Sequence, residues 1–420
     1  MQARTIPVPR QRLTRHVIAA FAVLASCAAW ADDPNPYYIG ISETLTHDTN
    51  VYLVPNGPSD NYSTTSLVGG FDQSIGRQRV YLAGTVGYNR YQDQTNLNNT
   101  SYNVNAGWDW ATIERLSGSV RLYANQGLAT LSGNSFRPTA ATNILNTEQL
   151  SANLQWGGDS RLSVLGNYTY SRVNYSAPLY ISSNSTGSSA SAGLYYSVNP
   201  DIKVGAALRF TRTETPAYFI VPGLAGSFSE IANTADGRNL DLTVDWRLTA
   251  QTGINARLSR TSITNSYSGA QDFNGPTGAI YANYAPTAKL AFSAGYASDA
   301  GTYASFFNNP NAPPGTPVTG LRQYSQTNET FSLGVTYAAT AKITANAGVQ
   351  HTYTKYAFNS ATNPDNSDNQ RSATLGVNYV GAKHWSLGCN YHYLSRNTTG
   401  PSGYYYTDNR FGCYGQYTLR

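Results

Sequence analysis

The chain has 420 residues, 33 of them Tyr and 37 Gly, with 28 Lys and Arg against 23 Asp and Glu. Charged residues make up only 12% of it, yet its mean hydropathy is negative, so uncharged polar side chains fill the difference. So little charge argues against an ordinary soluble surface, and so many rings argue against disorder.

The N-terminus reads as an export signal over residues 1–31. Arg4, Arg10, Arg12 and Arg15 form a basic stretch, residues 17–25 a short apolar core, and Ala29-Trp30-Ala31 a cleavage site. The apolar run is well short of the roughly 20 residues a membrane-spanning helix needs. Leu24-Ala25-Ser26-Cys27 also resembles a lipobox, in which Cys27 would be acylated. Cleavage after Ala31 removes four basic residues and no acid, leaving 24 basic against 23 acidic over 32–420. The basic balance therefore belongs to the signal, and a nucleic-acid partner is not expected.

From Tyr37 onward the chain reads as amphipathic strands in a hairpin unit that recurs every roughly 40 to 50 residues. Tyr102, Val104, Ala106, Trp108 and Trp110 alternate down one strand. Ile113-Glu114-Arg115 turns, and Leu116, Gly118, Val120 and Leu122 climb the next. The same pattern returns in Leu150 to Tyr170, Leu240 to Leu258, Phe331 to Val349 and Ala373 to Tyr391. Strict alternation gives each strand one apolar and one polar face. Phe71, Trp110, Trp156, Tyr196, Trp246, Tyr284, Tyr337 and Tyr379 precede the tight turns of eight successive hairpins. Amphipathic rings belong at the lipid headgroup level, so these eight are expected to form a girdle at one height.

The segments between units are longer and rich in Asn, Ser, Gly, Pro and Tyr: 47–61, 92–100, 131–147, 176–188, 214–238, 265–276, 303–326, 358–369 and 395–408. Tight turns on one side and long loops on the other predict an all-β fold, an antiparallel transmembrane β-barrel of about 18 strands in the cell outer membrane. The last strand carries Phe411, Cys413, Gly415, Tyr417 and Leu419, and Arg420 stands where a terminal aromatic is usual. Cys389 and Cys413 share the parity of apolar neighbours on the last two strands. They are candidates for a disulfide, which the periplasm permits, and equally for two small wall residues.

At the first hairpins four motifs stand together: Thr46-His47-Asp48-Thr49-Asn50-Val51-Tyr52-Leu53, Ile75-Gly76-Arg77-Gln78-Arg79, Tyr88-Asn89-Arg90-Tyr91, and Tyr102-Asn103-Val104-Asn105-Ala106-Gly107-Trp108-Asp109-Trp110. Over residues 37–125 they resemble the β-barrel porins that accompany exopolysaccharide biosynthesis operons (EpsL-like proteins). The resemblance implies an outer-membrane barrel connected with polysaccharide export or secretion, and brings no catalytic residues.

Eighteen strands enclose a lumen wide enough for water. Arg121, Arg209 and Arg257 have inward parity on ascending strands, and Asp109, Asp241, Asp245 and Arg247 on descending ones. Two readings stand: a belt of mixed charge at one level that selects solutes, or Arg and Asp paired across neighbouring strands. Tyr81, Tyr123 and Tyr195 point inward, and Tyr175, Tyr180, Tyr218, Phe219, Tyr303, Phe306, Phe307 and Tyr404 to Tyr406 lie near the outer loops. They suit sugar faces or headgroup anchoring and loop packing. His47, His351, His384 and His392 are the histidines beyond the signal, and no nucleophile motif accompanies them. No metal-ligand spacing or phosphate loop appears, so neither catalysis nor a cofactor is expected. The expected partners are outer-membrane lipid and lipopolysaccharide, with polysaccharide and export machinery as further candidates. A porin-like channel is the first functional reading, a structural or adhesive barrel the second, and an outer-membrane enzyme a distant third.

Overall fold

The computed structural model describes residues 35–129, 142–158, 160–222, 228–268, 270, 272–300, 326–356, 366–381, 384–399 and 405–419. The predicted signal, with Cys27, lies outside these residues, as do Tyr303, Phe306, Phe307 and Tyr404. Eighteen strands follow one another: β1 (Tyr37–Asp48), β2 (Asp60–Ile75), β3 (Gln78–Tyr91), β4 (Asn99–Ala111), β5 (Leu116–Leu128), β6 (Ile144–Trp156), β7 (Leu162–Tyr175), β8 (Ser185–Asn199), β9 (Ile202–Pro222), β10 (Phe228–Thr249), β11 (Thr252–Asn265), β12 (Phe273–Thr287), β13 (Leu290–Ala300), β14 (Gln326–Ala338), β15 (Ile343–Tyr356), β16 (Asn366–Val380), β17 (Trp385–Thr398) and β18 (Tyr405–Leu419). Each pairs antiparallel with its chain neighbours. β18 returns to β1 over ten pairs, from Ile39 opposite Leu419 to Asp48 opposite Arg410, so the sheet closes and keeps no free edge.

The distribution of side chains is the reverse of a soluble protein's. Ile39, Ile41 and Leu45, then Leu240, Leu242, Val244 and Trp246, are all exposed, while Ser66, Thr169, Ser189, Thr261 and Thr277 are buried. Apolar residues cover the outer wall continuously, which water would not tolerate. Along the described strands the backbone pairs with both neighbours except at a few register shifts, as lipid demands. The chain is an outer-membrane β-barrel.

The register repeats from hairpin to hairpin. Trp156 lies opposite Leu116, the first residue of β5, and Val164, the third of β7. Tyr196 lies opposite Leu162 and Val204, Trp246 opposite Ile202 and Ile254, and Tyr284 opposite Thr252 and Phe292. Tyr337 faces Leu290 and Ala345, Tyr379 faces Ile343 and Leu387, and Trp110 faces Gln78 and Gly118. Each ring thus meets residue one of the strand before and residue three of the strand after. That constant stagger is what tilted strands require to hold equivalent residues at one height. Phe71 departs from it: it faces Tyr37, the first residue of β1, but Leu82, the fifth of β3.

On the inner face, tyrosines lie over glycines directly opposite: Tyr38 over Gly70, Tyr81 over Gly107, Tyr195 over Gly205, Tyr281 over Gly295 and Tyr414 over Gly388. A Cβ at any of the five glycines would collide with the ring. The contact restores the apolar packing that glycine lacks in a strand and fixes the register. Gly76 serves differently. It takes φ +61 in the two-residue turn between β2 and β3, a conformation that tight hairpins require and side chains resist.

Several predicted loops are shorter than expected. Residues 214–238 are mostly strand, since β9 runs to Pro222 and β10 begins at Phe228. Pro216 sits where the register shifts between Ile231 and Asn233, so its missing N–H interrupts no ladder. β12 and β16 likewise begin inside predicted loops, and β17 and β18 extend into residues 395–408. Cys389 and Cys413 are directly opposite across β17 and β18, with Cα atoms 4.0 Å apart and their sulfurs bonded. The pair faces outward beside Leu45, next to the closing seam.

Candidate functional site

The candidate site is the lumen wall and its outer mouth. The inner face is mainly uncharged and hydrogen-bonding: Ser101, Asn103 and Asn105 on β4, Ser185, Ser189 and Ser191 on β8, Thr330 and Ser332 on β14. Most of the charges on it are matched across strands. Arg121 donates to Asp109 at 2.9 Å and to the Tyr81 hydroxyl at 3.0 Å. Arg209 grips Asp241 with two hydrogen bonds of 2.6 and 2.9 Å. Arg257 donates to Asp299 at 2.7 Å and to Ser259 at 2.9 Å, and lies 3.9 Å from Asp241. Arg79 pairs with Asp72, and Arg396 with Asp368 at 2.7 Å.

The pairing follows from alternation and register together. Arg209, the eighth residue of β9, and Asp241 on β10 share the inward face and stand diagonally, since Asp241 is opposite Ala207. A guanidinium reaches that diagonal and presents a planar fork to the carboxylate. The network continues through Asn239, which donates to the Arg209 carbonyl, and Thr261, which donates to Asn239 at 2.7 Å.

A belt at one level, one of the two readings that parity left open, is not what the register gives. Arg247 lies on the turn side of Trp246, highly exposed and 4.0 Å from Asp201. Asp245, one residue above that ring, accepts a hydrogen bond from Asn255. Asp241 is five residues above it. The spacing of charges along β10 carries them down the wall rather than around it. The two sides of the wall also differ. Arg121 and Asp109 are 44% and 34% exposed, whereas Arg209 and Arg257 are 7% and 6%.

That contrast sets an expected outcome. Arg121→Ala removes an exposed pair and will change stability by less than about 1 kcal/mol. It leaves Asp109 unmatched in the lumen, so the reversal potential under a salt gradient will move toward cations. A reversal potential identical to the parent's would mean that ions do not pass Asp109.

The outer mouth holds a feature that the sequence marked only as a motif. The segment 49–59 between β1 and β2 folds over the inner face. Asn50 donates to the carbonyls of Val54 at 2.7 Å and Thr407 at 3.0 Å, and accepts from the Val54 amide at 3.0 Å. Leu53, 2% exposed, packs with Leu394 and Tyr406 from the inner faces of β17 and β18. Val51 packs with Tyr91 and Leu97 on the other flank, where the Tyr52 hydroxyl donates to Gln94 at 2.7 Å. Below them Asp48 and Asp408 approach Arg410 Nε at 2.7 and 2.9 Å. Leu53 and Asn56 both take φ 53. Leucine adopts that left-handed backbone at a cost, which its burial offsets.

The remaining candidates are dispersed. His47 faces outward and bonds Asn61, while Asp48 faces inward, so the two do not act together. His392 lies inward opposite Arg410, and His351 bonds Asn369. Among the described residues no three His, Cys, Asp or Glu side chains converge as a metal site. Tyr81 is engaged by Arg121, and Tyr195 rests over Gly205 with Lys203 5.5 Å from its ring centre. Tyr175 stacks on Tyr180 at 5.6 Å.

No known family profile and no curated protein matches the chain. Among solved structures it is similar to OpdL of Pseudomonas aeruginosa at 11% identity, covering 91% of this chain and 98% of that one with a TM-score of 0.45. OpdO of the same organism gives 12% identity, 91% and 96% coverage and a TM-score of 0.46. The ferric enterobactin receptor PfeA, also from Pseudomonas aeruginosa, gives 9% identity, 93% and 82% coverage and a TM-score of 0.45. At such identities the likeness concerns the fold alone.

Proposed function

We propose that the barrel is a passive channel for neutral, hydroxyl-rich solutes, working alongside an exopolysaccharide export or secretion system. The observation that carries the channel reading is the inner wall itself. Its Ser, Thr, Asn and Gln side chains offer both donors and acceptors, and most of its Arg and Asp residues neutralise one another across strands. A wall of that kind discriminates weakly by sign and exchanges hydrogen bonds readily with polyols. The link to exopolysaccharide rests on the motifs of residues 37–125.

Liposome swelling tests the reading. Vesicles containing the refolded barrel should swell in neutral mono- and disaccharides and conduct in ohmic steps in planar bilayers. Absence of both would favour the second reading, a structural or adhesive barrel. The buried packing of Val51 and Leu53 against the inner wall at the mouth is the observation on that side.

A further inference from the structure

We propose that the outer wall of β8 to β11 is a binding site for the phosphorylated sugar headgroup of lipopolysaccharide. On three adjacent strands the outward face changes from apolar to cationic in a single step. Leu208 and Phe210 are followed by Arg212 on β9, Leu242 and Leu240 by Arg238 on β10, and Ala256 and Leu258 by Arg260 on β11. Leu208, Phe210, Leu240, Leu242 and Leu258 are exposed to the lipid side, and so are the three arginines. The cations therefore stand along the far edge of the apolar band, opposite the edge marked by Trp246. On an outer membrane that edge meets the outer leaflet's headgroups.

The arginines differ in their partners. Arg212 is held by Glu214 at 2.9 Å and lies 3.9 Å from Asp236. Arg238 and Arg260 have no carboxylate within ion-pair distance among the described residues, in contrast to the matched arginines of the lumen. Register puts Arg238 opposite Phe210 and Ser262, and Arg260 opposite Leu240 and Pro276, so the two are diagonal neighbours. Beside them lies a recess of about 390 Å³, with Tyr168 and Phe210 as its rings, Ser188 and Ala190 as its floor, and Arg212, Arg238 and Asp236 at its rim, the carboxylate lying on the Arg212 side. Small residues on β8 between larger ones on β7 and β9 make this depression. Acyl chains would lie on Leu240 and Leu258, a sugar in the recess, and the phosphates across Arg238 and Arg260. Guanidinium forks suit phosphate oxygens, and the low-dielectric wall below strengthens the attraction.

The test uses the whole barrel refolded in a neutral detergent. The probes are purified lipopolysaccharide, the same material with its phosphates removed, and inorganic phosphate. The parent protein should bind the intact glycolipid at least tenfold more tightly than the dephosphorylated one. The double variant Arg238→Gln/Arg260→Gln should lose that preference. Arg371→Gln, outward on β16 opposite His351 and Ser395, should keep it. Heat-shifted electrophoretic mobility verifies that each variant is folded. Equal binding of the two glycolipids by the parent protein overturns the proposal without reference to any variant. A folded double variant that retains the preference overturns it as well. Inorganic phosphate binding as tightly as the glycolipid would make this a plain anion site and overturn the lipid assignment.

Discussion

Asp241→Ala will destabilise the folded barrel by about 3–5 kcal/mol, the effect expected when one partner of a buried ion pair is removed. Asp241 accepts both hydrogen bonds from Arg209 and lies 3.9 Å from Arg257, and both guanidiniums are almost wholly shielded from water. The variant removes the carboxylate that Arg209 grips with two hydrogen bonds and that stands beside Arg257, which also donates to Asp299. Urea unfolding of protein refolded into lipid vesicles measures the loss. A second variant separates charge from packing: adding Arg209→Met to Asp241→Leu should recover most of the stability, since a matched apolar pair costs little where an ion pair stood. If the single variant unfolds at the parent's urea concentration, the pair is wet and the shielding deduced for it is wrong.

The largest functional effect is expected at the mouth. Leu53→Asp together with Asn50→Ala will free the segment 49–59 from the inner wall. The first change places a charge between Leu394 and Tyr406, and the second deletes three hydrogen bonds. A buried unpaired carboxylate is far costlier than a solvated one, so the segment will leave the wall rather than carry it. Single-channel conductance should rise on the order of twofold as the segment leaves the inner wall. Swelling rates should rise most for the larger sugars. Unchanged conductance would mean that the narrowest point lies elsewhere in the lumen. Arg410→Ala offers a contrast, because Arg410 anchors the strand ends below the segment through Asp48 and Asp408.

Much of this architecture is legible in the chain because a barrel wall is written in its shortest period. Alternation at Tyr102 to Trp110 or Leu240 to Trp246 assigns each side chain to lipid or lumen without any knowledge of partners. Register is another matter. Parity put Arg209 and Asp241 on one face, but only the pairing of Asp241 with Ala207 brings their side chains together. The same holds for Cys389 and Cys413, whose shared parity left two readings until the strands were aligned. Asp299 carries no such signal, because it is the last residue but one of β13, where alternation fades. The outer ends of β9 and β10 were hidden by Glu214, Thr215 and Pro216, which break the pattern that a register shift accommodates. The tyrosine and glycine pairs carry a signal that would have revealed register: an inward Tyr on one strand and an inward Gly on the next.

The repeated register has a further consequence for how such a wall can change in evolution. From Trp110 to Tyr379, each two-stranded module presents the same offset on its leading flank that its predecessor presents on its trailing flank. Modules are therefore interchangeable sockets. Duplicating one would enlarge the bore while leaving every other joint, and the tilt of the staves, as it was. Gaining a single stave would instead turn the chain's end to the wrong side of the membrane. Departures from the common offset, such as the one at Phe71 beside the seam, mark the joint where modules were least free to be exchanged.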